Sequence, residues 1–308
     1  MTERQPTPDL ALPEKVPVTC YPPGTLKQFR RMQNQVSQKE YAKYFHEDLY
    51  MYSDIIPAIR EPLAPGQVLP LKDVSQLLEP GYPKEGGENG WCALSDGTAY
   101  VASNTRFPGV TGEMIDWWFW WHSVEPERYA LWYPYNHVEA RSSFAASGRL
   151  HRDYLGHREK WLGSTHRVTE FIGPYHKRIR IQFVEPHDRR CFGGGLTPEG
   201  LRDAGYKAAV CAVLWDAYLP LKLGEFVHLW RAVEGGLELR SRYWLGHQVC
   251  QGEDPARLPR GLLGIKRMLA GEEIAYEQFL HDQIEFTNLA RILPGLYSEF
   301  GPGRLNQE

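Results

Sequence analysis

The spacing of apolar residues changes character twice along the chain. Residues 1–25 contain six prolines and show no periodicity, so an extended arm is expected there. Residues 25–56 carry apolar positions at helical spacing with few breakers, and Leu71–Leu78 offers a short helix. The stretch EPGYPKEGGENG, residues 79–90, is the densest Pro/Gly segment and reads as a linker. Beyond it the period drops to two. Residues 91–103 read as a hairpin around Asp96-Gly97, and residues 160–174 and 176–186 as two strands joined through Gly173-Pro174. Residues 225–246 form the clearest hairpin, with Gly235-Gly236 at its tip. A helix opened by Thr111 carries the run DWWFWWH, and a long helix occupies residues 271–293. An antiparallel sheet followed by one long helix predicts an α+β, helix-grip arrangement, a curved sheet wrapped around a C-terminal helix with a cavity between them. A small, mostly helical N-terminal domain over residues 1–85 and a catalytic domain over residues 86–308 are the expected division.

Three faces carry candidate chemistry. In the last hairpin, a Gly235-Gly236 turn places His228 opposite Tyr243, on a face shared with Phe226, Trp230, Leu239 and Ser241. That is either an acid–base pair in a pocket or a buried histidine bonded to a core tyrosine. On the C-terminal helix His281 and Glu285 are one turn apart on one side. Taken alone, that spacing suits a solvated salt-bridging face better than half of a metal site. Glu170 alternates with Val168 and His166 in THRVTEFI, and an inward carboxylate is costly unless paired or metal-bound. His137 closes the aromatic segment LWYPYNH. Imidazole and carboxylate together suit zinc or manganese. His122 reads as a core histidine, and the GGG at residues 193–195 lacks phosphate-loop spacing and reads as a lid or connector. Cys191 follows two arginines but has no evident base partner, and no GxSxG nucleophile elbow occurs.

Composition narrows the field. The chain of 308 residues is 13% aromatic, with 10 Trp and 17 Tyr, which favours a pocket for a ring-shaped ligand. A net charge of −3 offers no field for nucleic acid or an anionic membrane, and the longest aromatic run is too short to span a bilayer. Five scattered cysteines without a CxxC pair argue against a disulfide framework or a thiolate zinc site. The polar N-terminus has no apolar signal region, so a cytoplasmic protein is expected.

Four segments, in this order, resemble one known family. They are DWWFWWHSVEPERYALWYPYNH, THRVTEFIGP, FVHLWRAVEGGLELRSRYWLG and HDQIE. Together they are similar to the diacetylphloroglucinol and phloretin hydrolases, metal-dependent enzymes that cleave the carbon–carbon bond between an acyl group and a phenolic ring. The resemblance implies a Bet v 1-like fold, a homodimer, and one Zn²⁺ held by His137, Glu170, His281 and Glu285. It also implies His228 as the catalytic histidine and Tyr129 and Tyr243 as catalytic, substrate-binding tyrosines donating to oxygens that gain charge. Trp121 and Trp230 are expected to line the substrate site. One departure stands out: a substrate-holding Asn of the family falls on Ala140 here. Two alternatives remain on the same fold, a non-catalytic carrier of aromatic ligands and a metal-dependent polyketide cyclase or decarboxylase-like enzyme.

Overall fold

The period-two stretches are realised as an eight-stranded antiparallel sheet in the computed structural model, which describes residues 12–246 and 271–302. Its strands are β3 (Gly90–Ala93), β4 (Ala99–Pro108), β5 (His137–Ser142), β6 (Thr165–Ile172), β7 (Tyr175–Val184), β8 (Tyr206–Asp216), β9 (Lys222–Val233) and β10 (Gly236–Leu245). The order is β3-β4-β10-β9-β8-β7-β6-β5, so β5 to β10 form a meander and the β3–β4 hairpin joins its far side. A separate two-stranded sheet pairs β1 (Lys15–Pro17) with β2 (Tyr50–Tyr52). The longest described α-helices are α1 (Pro23–Val36), α2 (Gly112–Trp121) and α3 (Glu272–Phe300). Thr111 caps α2 by accepting from the Met114 amide at 3.3 Å.

Several elements depart from their expected limits. The helix expected through residue 56 stops at Val36, because residues 50–52 gain more by pairing with β1 than by continuing a helix. The long helix runs past Pro294 to Phe300, since Leu293 and Leu296, both fully buried, hold its last turns in the core. The last hairpin turns at Glu234-Gly235, one residue early, with Val233 paired to Gly236. Gly235 supplies the positive φ of 82° that this turn requires. His228 therefore faces Ser241, and Tyr243 faces Phe226.

The α+β class holds, but the Bet v 1-like helix-grip arrangement is overturned. Instead of one curved sheet gripping one helix, an eight-stranded sheet forms a middle layer, accompanied by a second small sheet and several helices. On one face Trp230, Leu239 and Tyr243 share a core with Phe279, Phe286 and Leu289 of α3. On the other, Tyr100, Leu229 and Trp244 pack under Leu69, Leu71, Val74 and Leu77. Both faces being covered explains why β9 is buried continuously instead of alternately. Residues before 85 are not all helical, and Val36, Tyr41 and Ile55 join the same core as α3. The second face also buries Arg240 and Arg242, both within hydrogen-bond reach of Glu88 at 2.6–3.0 Å.

Candidate metal centre and two-chambered cavity

Strand pairing and one helical turn bring four donors together. His137 opens β5 directly opposite Glu170 on β6, with a register irregularity immediately after it. His281 and Glu285 project from consecutive turns of α3. His137 Nε2 lies 3.1 Å from His281 Nε2, 3.3 Å from a Glu285 carboxylate oxygen and 3.7 Å from one of Glu170. His281 Nε2 lies 3.7 Å from the same Glu285 oxygen. The donor atoms of His137, His281 and Glu285 all fall within 4.8 Å of one another, and Glu170 approaches from the sheet side. His137 Nδ1 sits 3.2 Å from the Tyr129 carbonyl, which fixes the proton there and leaves the Nε2 lone pair facing the cluster. The Tyr129 ring stacks on this imidazole at 3.8 Å.

The electrostatics explain what such a cluster lacks. Burial holds His137 well below the usual imidazole range and His281 at about 3, so both rings are neutral. Burial pushes Glu170 up to about 7 against the opposing hydrogen bond from Tyr129. Burial, then Asp282 and Glu170, push Glu285 further still. Lone pairs of two neutral imidazoles and two carboxyl groups thus converge in a buried site. Two imidazole nitrogens with carboxylate oxygens are a donor set that fits a divalent cation, whose charge would let both carboxylates ionise.

A second group adjoins the first. His228, on β9, places Nδ1 2.8 Å from the Ser241 hydroxyl and Nε2 3.4 Å from the Tyr243 hydroxyl. Burial holds it at about 3, hence neutral. Tyr243 donates to the Asp282 carboxylate at 2.8 Å, and Tyr129 donates to Glu170. Both tyrosine protons are thus directed at carboxylates, leaving their hydroxyl oxygens as acceptors toward the cavity.

These groups line an inner chamber of about 70 Å³, together with His122 and His166. An outer chamber of about 430 Å³ adjoins it, with Glu170, Ile179, Leu214 and Gln278 lining both. His137 stands behind Tyr129, while Glu170, His228, Tyr243, His281 and Glu285 all reach the inner wall. The two expected tryptophans do not. Trp121 lies under the Arg128 guanidinium and against Phe300, and Trp230 backs His228 from the core, 6.1 Å between ring centres. Asp282 is the functional neighbour that the HxxxE spacing hides, one residue round the helix from His281. Its signal in the sequence is a carboxylate one turn from Glu285 and beside the apolar Phe279 and Phe286. Burial pushes the Cys191 thiol up to about 11, away from the thiolate form. Gly193 caps a short helix, Arg189–Phe192, in the left-handed conformation at φ 63°, as a connector would.

Sequence comparison places the chain among known proteins. The family model described as the DAPG hydrolase PhiG domain matches residues 69–298. A 2,4-diacetylphloroglucinol hydrolase from Pseudomonas sp is 35% identical over 293 residues, 92% of this chain and 96% of the relative. One from Pseudomonas protegens is 34% identical, covering 92% of each chain. The phloretin hydrolase of Eubacterium ramulus is 32% identical over 263 residues, 84% of this chain and 89% of its own. No described helix is long and apolar enough to cross a membrane. The chain belongs to the DAPG hydrolase PhiG family, and it is a hydrolase.

Proposed function

We propose that the protein is a zinc-dependent hydrolase that cleaves the carbon–carbon bond between an acyl group and a polyhydroxylated aromatic ring. The observation that carries this reading is the juxtaposition of the His137–His281–Glu285 group with His228 at one small, aromatic-walled chamber. The relatives' named substrates are aryl ketones without ester or amide, so hydrolysis of the acyl group must break a carbon–carbon bond. Water supplies the hydroxyl of the released acid and the hydrogen of the freed ring carbon. Manganese suits the same donors, and elemental analysis distinguishes the two.

A ring carbanion is a poor leaving group. Protonating the ring carbon first, in a keto tautomer allowed by ortho hydroxyls, lets the ring depart as an enolate. Held at His137, Glu170, His281 and Glu285, a divalent cation supplies polarisation of the acyl oxygen and acidification of water. His228, neutral with a free lone pair, takes a proton from water and delivers one to the ring. Ser241 fixes the orientation of the imidazole. The Tyr129 and Tyr243 oxygens accept from ring hydroxyls and hold the ring in place, because their own protons are committed to Glu170 and Asp282. Trp230 supports His228 from behind. A homodimer belongs to the same proposal.

The reading is tested by incubating the metal-replete protein with diacetylphloroglucinol and with phloretin and measuring carboxylic acid release. Absence of acid from both refutes it and leaves hydrolysis of a different substrate class. His228→Ala is expected to keep the metal and lower kcat on the order of 10²-fold. Near-wild-type turnover in that variant would make His228 structural.

A further inference from the structure

The chemistry above occupies the inner chamber and leaves the outer one unexplained. At about 70 Å³ the inner chamber is small beside ligand pockets of about 300–1,000 Å³. A substrate too large for the inner chamber extends past Glu170, Ile179 and Leu214 into the outer one, about 430 Å³. Ile172, Leu223, Leu245 and Ile274 line it together with His176, Arg178, Asp216 and Tyr218. Among them stands one amine, Lys177.

Lys177 is the register partner of Glu170 across β6–β7, so strand alternation puts its side chain on the same inward face. It is half-buried, and its ammonium forms no ion pair among the described residues. Its nearest partner there is the Tyr175 ring, 5.2 Å from Nζ to the centroid. Two of the neighbouring polar groups are engaged, while His176 and Gln278 also line the chamber. Arg178 donates to the Tyr218 hydroxyl at 2.7 Å, and Asp216 accepts from the Tyr218 and Leu219 amides. The donors of Lys177 are left for a ligand.

We propose that the outer chamber is the subsite for the acyl arm, and that Lys177 is a specificity residue donating to an oxygen at the arm's far end. This rests on the acyl-phenol reading. The favoured substrates carry a long arm ending in a phenol or another oxygen acceptor. A phloretin-type arm brings three carbons and a hydroxyphenyl ring to this subsite; an acetyl group brings two carbons and no terminal acceptor.

The test measures kcat/KM for phloretin and diacetylphloroglucinol in wild type, Lys177→Met and Lys177→Arg, with metal content determined for each. Lys177→Met is expected to lower the phloretin-to-diacetylphloroglucinol ratio about 10- to 100-fold, the worth of a hydrogen bond to a charged group, chiefly through KM for phloretin. Lys177→Arg is expected to restore most of it. An unchanged ratio overturns the proposal, whether both values fall together or neither falls. So does a wild-type enzyme active on the diacetyl compound and inert to phloretin. Inactivity on both substrates overturns the acyl-phenol reading itself and is seen before any variant is made. Metal loss in Lys177→Met would place the lysine's role at Glu170 and also overturn the assignment.

Discussion

His281→Ala is expected to yield a folded protein that purifies without its metal and has lost activity on the order of 10³-fold or more. The imidazole is one of three donors whose atoms lie within 4.8 Å of one another, and it faces His137 across 3.1 Å. An alanine leaves His137 and two carboxylates that burial already holds above their ordinary range. Without the cation those carboxylates stay protonated and the acyl oxygen loses its electrophilic partner. Several kcal/mol of charge stabilisation disappear, at about 1.36 kcal/mol per tenfold in rate. Bound metal also stabilises the folded state by mass action. The variant's Tm is therefore expected to match that of wild type stripped by a chelator, and added zinc should raise only the latter. Stoichiometric metal in purified His281→Ala would sink the ligand assignment.

What could be read from residues alone followed the range of the interaction. His281 and Glu285 share a face because helical spacing is local, and that reading needs no tertiary information. Glu170 and His137 are different. They meet because β5 pairs with β6 across a connection of more than twenty residues, with an irregularity right after His137, and no nearby turn sets that register. The last hairpin shows an intermediate case. Its turn is Glu234-Gly235, which moves every pairing by two residues. Side chains alternate with period two, so an even shift changes partners without changing faces. His228 and Tyr243 consequently remain neighbours, diagonal instead of opposed, with 3.4 Å between Nε2 and the hydroxyl. Trp121 and Trp230 failed for another reason. Aromatic character marks burial, and the core of α2 and α3 consumes these rings before the cavity is reached.

The helix-grip expectation failed on the sheet's second face. Glu238, Arg240 and Arg242 alternate with Leu239, Ser241 and Tyr243, which reads as a solvated outer face against an apolar inner one. Nothing local announces that residues 63–89 return over that face and bury it. The cost of burying two guanidinium groups is met by one carboxylate, Glu88, and that makes it the most consequential residue outside the cavity.

Glu88→Gln is accordingly expected to destabilise the protein by about 3–5 kcal/mol, the range for removing one partner of a buried charge group. Arg240 and Arg242 are 0% and 1% exposed, and Glu88 is the only carboxylate bonded to either among the described residues. Arg240 would keep the Leu77 carbonyl and the Tyr206 hydroxyl, and Arg242 the Ser241 carbonyl, but both would keep their charge with no carboxylate bonded to them among the described residues. At about 2–4 °C per kcal/mol for a larger domain, Tm should fall on the order of 10 °C. The pH dependence provides a second readout. Burial alone would raise the Glu88 carboxyl, but Arg242 and Arg240 outweigh it and hold the group at about 2, against an ordinary 4.5. A depressed carboxyl stabilises the fold above its unfolded value, and that contribution is lost as pH falls from about 4.5 towards 2. Wild type and Glu88→Gln should therefore differ most near neutrality and converge in that acidic window, which denaturant titrations at stepped pH would record. A loss below about 1 kcal/mol, or a difference that stays constant with pH, would mean that the two arginines are solvated or neutralised by some other route.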